Sequence, residues 1–117
     1  MHVKSEPDPS GRCLRLSLEG SWNLEEVFAV IDRIRWETEL AGIDRAFADM
    51  RSVEGPIPAL DRFFAGERVA SVLGSRVRLA VLSRPELIDK LGENAAVNRG
   101  ARILVTASEP EALEFLA

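Results

Sequence analysis

Histidine and cysteine are almost missing from this sequence, which has one of each among its 117 residues. A single cysteine, Cys13, cannot form an internal disulfide and suits a reducing compartment. The single histidine, His2, lies at the end of the chain, so the rest of the sequence lacks both the commonest zinc ligand and the commonest general base. We therefore expect no metal site and no histidine-based catalysis, and we predict that Cys13 is a small packing residue of a strand.

Long apolar runs and clusters of positive charge are also absent. No segment reaches the roughly 18 uncharged apolar residues of a membrane-spanning helix, and the first residues lack the apolar segment of a signal peptide. The net charge is −4, with acidic and basic residues interspersed, which disfavours nucleic-acid binding. Neither of the usual glycine-rich nucleotide-binding motifs occurs. We expect a cytoplasmic protein with no membrane insertion, no nucleic-acid partner and no cofactor.

What the chain does contain is the composition of an ordinary folded domain. Hydrophobic residues make up 46% and charged residues 29% of the sequence, which argues against disorder. A chain of this length buries roughly two thirds of its unfolded surface when it folds. Residues 1–117 are therefore predicted to form a single domain with its own core.

Strand-like and helix-like patterns alternate along the chain and predict an α/β fold. Leu14, Leu16 and Leu18 alternate with polar residues, as in a strand with one buried face. The predicted strands cover residues 2–6, 14–18, 45–50 and 77–82 and begin again at 102, and the predicted helices follow Asn23, Pro58, Ser83 and Ser108. We predict a mostly parallel sheet of four to five strands, with an N-terminal antiparallel hairpin strand and four helices.

Three helix starts are marked by capping patterns. Asn23 precedes Glu26 by three residues, and two later segments share the sequence Ser-x-Pro-Glu. In those segments Ser83 and Ser108 are placed to cap a helix, with a glutamate three residues further on. The pattern predicts that a helix begins directly after each serine.

Four stretches of the sequence, in this order and spacing, resemble a known family. They are Leu18-Glu19-Gly20, Phe47-Ala48-Asp49-Met50-Arg51-Ser52-Val53, the stretch of residues 95–100 and the closing stretch of residues 111–116. Together they resemble the SpoIIAA-like, STAS-type superfamily of bacterial domains. The resemblance implies a non-catalytic regulatory module that acts in signalling by binding another protein.

The phosphorylation site of that superfamily does not carry over to this chain. In its anti-sigma-factor antagonists, a serine in an Asp-Ser-Ser-Gly-like loop before the second helix is phosphorylated. Here residues 54–59 read Glu-Gly-Pro-Ile-Pro-Ala, without serine or threonine. Ser52 is the nearest hydroxyl, and its alternative role is to satisfy local backbone groups.

The candidate ligand or anion loop follows the predicted third strand, because ligand sites of parallel sheets lie beyond the carboxyl ends of strands. It comprises Asp49, Arg51, Ser52, Glu54 and Gly55. The second helix is predicted to begin without an acidic residue in its first turn, which would suit a small anion. Alternatively, Asp49 accepts backbone hydrogen bonds from the following turn. A catalytic carboxylate pair is not expected, because no aromatic side chains flank this loop.

Apolar residues on two helices fall outside the expected core-facing stripes. In the second helix, Leu60, Phe63 and Phe64 lie opposite a later apolar set, so either the helix bends near Ala65-Gly66 or one set faces something other than the sheet. In the first helix, Trp36 and Leu40 lie opposite the main stripe. Trp36 either packs under the N-terminal hairpin or belongs to a contact surface.

Two functions remain open at this point. The first is a regulatory or protein-interaction module whose off-stripe residues on the two helices bind a protein partner or a second copy, as in a homodimer. The alternative is a carrier of a small apolar or lipid-like molecule. Its cavity would lie between the second helix and the sheet, beside Met50, Phe63 and Phe64.

Overall fold

Strands and helices alternate along the chain, and a computed structural model describes all residues, 1–117. The strands are β1 (His2–Pro7), β2 (Leu14–Ser21), β3 (Arg45–Glu54), β4 (Arg78–Leu82) and β5 (Arg102–Thr106). The helices are α1 (Leu24–Ala41), α2 (Ala59–Val72), α3 (Leu91–Val97) and α4 (Glu109–Leu116), and Pro85–Leu87 form a 3-10 turn. No helix combines the length and the apolar character needed to cross a membrane. The predicted α/β class, with five strands and four helices, is confirmed.

The five strands form one mixed sheet in the order β1-β2-β3-β4-β5. β1 is antiparallel to β2, as predicted for the hairpin. The pairings from β2 to β5 are parallel. The hairpin edge thus makes the sheet mixed, whereas the sequence predicted a mostly parallel one. Right-handed crossovers between successive parallel strands place α1, α2 and α3 on one face of the sheet. α4 packs on the other face, where Ala112 and Leu116 join a separate core with strand residues.

Each face of the sheet has its own core. The larger core contains 17 buried residues between the sheet and the helices α1, α2 and α3. The smaller core contains 6 buried residues beneath α4, including Phe47 and Ala112. Cys13 belongs to this smaller core, and burial raises the pKa of its thiol to about 11. The interpretation of Cys13 as a packing residue is consistent with this burial.

Two of the three predicted helix caps are confirmed. The side chain of Asn23 accepts the backbone N–H of Glu26 at 3.0 Å, and that of Ser108 accepts the N–H of Glu111 at 3.3 Å. The cap predicted at Ser83 is wrong. Its backbone N–H donates to the carbonyl of Thr106 at 2.9 Å and so prolongs the β4–β5 ladder. The α-helix predicted directly after Ser83 is also wrong, because residues Pro85–Leu87 form only a 3-10 turn and α3 begins at Leu91.

The helices α2 and α3 cross at two glycines, where their backbones touch. A Cβ added to Gly66 would overlap the carbonyl oxygen of Gly92, and one added to Gly92 would lie 2.6 Å from the carbonyl oxygen of Arg62. α2 continues as an α-helix through Gly66. Gly66, which the sequence suggested as a bend, therefore serves this close approach.

Candidate functional site

Most of the predicted ligand loop belongs to a strand. β3 was expected to end at Met50 but continues to Glu54, which pairs with Ser21 of β2. β4 ends opposite Asp49, so the later part of β3 has a neighbour on one side only. A bulge on β3 between Asp49 and Ser52 interrupts the alternation of buried and exposed side chains. This interruption is the reason why the periodicity of the sequence missed the extension.

Within that segment, Asp49 and Arg51 neutralise each other. The Nη2 and Nε atoms of Arg51 donate to the two carboxylate oxygens of Asp49 at 2.8 and 3.1 Å. The backbone N–H of Arg51 also donates to Asp49, at 3.0 Å. These bonds hold the pKa of Asp49 below its usual value. Arg51 is therefore already paired, while Ser52 and Glu54 are exposed and Gly55 follows the strand with a φ of 84°.

The beginning of α2 differs from the expected anion site. α2 starts at Ala59, so Asp61 falls in its first turn, and the expectation of a first turn without an acid is wrong. The carboxylate of Asp61 accepts the indole N–H of Trp22 at 2.8 Å. A negative charge at this position disfavours a second anion at the same helix end.

The structure brings another set of residues together around an apolar cavity. The cavity has a volume of about 130 Å³ and lies between the sheet and the helices. Of its 23 lining residues, 16 are hydrophobic. Strand residues on the helix-covered face and helix residues opposite them form the wall: Leu18, Ala48, Met50, Val81, Val105, Ile31, Ala65 and Val69. An apolar cavity of comparable size, about 150 Å³, stays dry and binds benzene.

Four charged side chains also line this cavity. Arg62 donates to the carbonyl oxygen of Ile57 at 2.6 Å and to Asp89 at 2.5 Å. Lys90 donates to the carbonyl oxygen of Val105 at 2.7 Å and pairs with Glu93 at 2.8 Å. The pairs tie α2, α3 and β5 to the segment that joins β4 to α3. With two cations and two carboxylates, the charged part of the lining is neutral.

Two polar groups of the lining have no partner within the protein. The Nε–H of Arg62 is buried and makes no hydrogen bond. Ser83 is only 7% exposed and lines the cavity, and its hydroxyl also makes no hydrogen bond in the protein. Along β4, Leu79 and Val81 line the same cavity, because alternate residues of a strand share one face. Ser83 continues this alternation at the carboxyl end of the strand.

The predicted aromatic contact residues lie outside this cavity. Met50 lines it as expected, but Phe63 and Phe64 do not. Phe64 is 40% exposed and contacts Phe63 edge to face, at 6.0 Å between ring centroids. The guanidinium of Arg99 lies 5.4 Å from the Phe63 ring centroid. Leu60, at the start of α2, is also exposed.

Trp36 does not pack under the hairpin. It is 66% exposed, and Leu40, one turn later on α1, is 70% exposed. The packing alternative for Trp36 is therefore wrong. The other tryptophan, Trp22, does line the cavity. Sequence reasoning had not singled out Trp22, although an apolar residue directly before a helix cap is a recognised signal of packing at a helix entry.

No family model matches the chain, and no curated protein matches it at a significant level. No group of three or more histidine, cysteine, aspartate or glutamate side chains is arranged to hold a metal ion. Sequence similarity therefore assigns no family to the chain. The geometry of the cavity is the feature from which a function can be derived.

Proposed function

We propose that the protein is a non-catalytic binding module that takes a small apolar molecule into the cavity between the helices and the sheet. The observation that carries this proposal is the apolar cavity of about 130 Å³. Protein interiors are normally close-packed. An unfilled apolar space leaves the atoms of its wall without the van der Waals contacts of a packed core. A ligand of six to eight non-hydrogen atoms, roughly the size of benzene, would recover the lost contacts.

The polar residues of the lining support binding rather than catalysis. Arg62 is paired with Asp89, and Lys90 is paired with Glu93. A serine acts as a nucleophile only when a base lies within hydrogen-bond reach. Ser83 has no such neighbour, because its hydroxyl makes no hydrogen bond. A cavity without a nucleophile and its base fits a carrier or a sensor of the ligand.

The two tryptophans allow a direct test. In a Trp36→Phe variant the only remaining tryptophan is Trp22, which lines the cavity. We expect titration with toluene to change the fluorescence of this variant saturably and to raise the melting temperature by several degrees. A Trp22→Phe variant keeps the exposed Trp36 and should show the thermal shift with little fluorescence change. If toluene produces neither signal in the Trp36→Phe protein, the proposal is wrong.

A second candidate function is a regulatory protein-interaction module of the STAS type, which the sequence motifs resemble. The observation that favours it is the pair Trp36 and Leu40, both exposed on one face of α1. Tryptophan is among the residues that contribute most to binding at protein interfaces. A protein partner or a second copy of the chain would bury this pair. Residues 54–59 contain no serine or threonine. Such regulation would therefore not use the loop phosphorylation of the anti-sigma-factor antagonists.

Self-association through α1 is tested by light scattering coupled to size-exclusion chromatography. We expect the wild-type protein to form a dimer at micromolar concentration and the Trp36→Ala, Leu40→Ala double variant to be a monomer. Leu113 is 49% exposed on α4, on the other face of the sheet. A Leu113→Ala variant is the control and should remain a dimer. A wild-type monomer would argue against self-association.

A further inference from the structure

Three arginines form a row across one end of the sheet. β3, β4 and β5 each begin with an arginine, and these residues, Arg45, Arg78 and Arg102, are in register. Paired positions of neighbouring strands lie about 5 Å apart and share one face of the sheet. That face is the one covered by α4, because Phe47 and Ala80, two residues further along β3 and β4, belong to the core beneath α4. The fold thus gathers positive charges that are dispersed along the sequence.

The row has little negative charge beside it. Arg102 is exposed and makes neither an ion pair nor a side-chain hydrogen bond. Arg78 donates through its Nη1 atom to two carbonyl oxygens at the carboxyl end of α4, at 3.1 and 3.2 Å, and has no acidic partner. Only Arg45 is paired with an acid, since its Nη1 atom lies 3.3 Å from the carboxylate of Asp44. Two cations of the row are therefore unbalanced.

A surface groove beside these two cations is otherwise apolar. Its lining residues are Arg78, Val97, Ala101, Arg102, Ile103 and Phe115. Val97 is 47% exposed. Phe115 is half-buried, and the guanidinium of Arg78 lies 5.9 Å from its ring centroid. Arginine and aromatic residues are enriched in protein interfaces, so the groove has the composition of a protein contact.

We infer that this groove binds an acidic segment of another protein, whose carboxylates pair with Arg102 and Arg78 and whose apolar side chains pack on Val97. Charge complementarity supports this partner, because a guanidinium and a carboxylate form two parallel hydrogen bonds. A nucleic acid fits less well, since its long row of phosphates would extend beyond three arginines on a chain of net charge −4. The groove is separate from the apolar cavity, so the inference does not depend on the proposed function.

Fluorescence anisotropy with a short labelled peptide of alternating glutamate and leucine tests the inference. We expect the wild-type protein to bind this peptide, and the affinity to fall as salt is added. Arg102→Gln should weaken binding about fivefold, which is the upper range for one exposed ion pair. Arg102→Lys keeps the charge and should retain most of the affinity. Because Arg102 has no partner within the protein, neither variant should change the melting temperature.

Two controls separate a specific contact from a general effect of charge. Arg33 is exposed on α1, on the opposite face of the sheet. Arg33→Gln makes the same change in net charge and should leave the affinity unchanged. A peptide with glutamine in place of glutamate should bind about tenfold more weakly than the acidic peptide, and one with serine in place of leucine should also bind more weakly.

Several outcomes would overturn the inference. It is wrong if the wild-type protein does not bind the acidic peptide, or if Arg102→Gln and Arg33→Gln weaken binding equally. A glutamine peptide that binds as tightly as the acidic one would show that the groove recognises apolar side chains alone. Tighter, Arg102-dependent binding of a short DNA oligonucleotide would assign a nucleic acid to the groove instead. Self-association of the wild-type protein that Arg102→Gln abolishes would assign it to a second copy of the chain.

Discussion

Replacing Gly66 with alanine is expected to destabilise the protein by roughly 3 kcal/mol, because the new Cβ would overlap a backbone atom of the neighbouring helix. That atom is the carbonyl oxygen of Gly92, which cannot rotate away as a side chain can. α3 would have to move away from α2, and the contacts on both sides of the crossing would loosen. In an isolated helix the same change is stabilising by about 1 kcal/mol, since alanine is the better helix former.

Urea denaturation followed by circular dichroism measures this effect. The matched control is Ser71→Ala, at an exposed position of the same helix. It should change the free energy of unfolding by less than about 0.5 kcal/mol. A Gly66→Ala variant as stable as the wild type would show that the two backbones are not in contact. Gly66 and Gly92 also line the cavity, so we expect Gly66→Ala to alter ligand binding as well.

Filling the cavity from the sheet side is expected to abolish binding and to stabilise the empty protein. Ala48, on the central strand β3, is buried and lines the cavity. Ala48→Leu adds three carbon atoms, each worth up to about 0.8 kcal/mol when buried. We expect a net gain of about 1–2 kcal/mol in the free energy of unfolding. We also expect the affinity for toluene to fall at least fiftyfold, because its space is occupied.

The neighbouring position on the same strand face provides the control. Ala46 is fully buried in the larger core but does not line the cavity. Ala46→Leu must therefore force the same three carbon atoms into packed space, and we expect it to cost about 1–3 kcal/mol. Thermal and urea denaturation of the two variants should move in opposite directions. If both variants are destabilised equally, the space beside Ala48 is already filled and the cavity does not exist in solution.

The features that could be predicted from the sequence are those that depend on neighbouring residues. Asn23 and Ser108 cap their helices because the capping side chain and the N–H that it accepts are three residues apart. The alternation of Leu14, Leu16 and Leu18 predicted a buried strand face, and all three are buried. The exposed position of Trp36 was one of the two alternatives that the helical periodicity left open.

The errors occur where distant partners override a local pattern. Ser83 has the sequence of a helix cap, but pairing with β5 holds it in the sheet. Met50 was expected to end the third strand, but β3 remains paired with β2 as far as Glu54. The expectation that the first turn of α2 lacks an acid is wrong for a local reason instead, because a helix that begins at Ala59, as predicted, has Asp61 in its first turn. In the first two cases an element boundary moved by four residues or more, since β3 extends to Glu54 and α3 begins only at Leu91, and the role of a side chain changed with it.

By itself the sequence determined the α/β class, the hairpin, two helix caps and the scarcity of catalytic residue types. Its alternative function placed a cavity between the second helix and the sheet, but of the three residues expected beside it, Met50, Phe63 and Phe64, only Met50 lines the cavity. Only the tertiary structure decided which other residues form that wall, because they come from four strands and three helices that are far apart in the chain. It also decided that Gly66 serves a helix crossing and that Ser83 faces the cavity. These properties depend on the spacing between packed layers, which no local pattern of residues encodes.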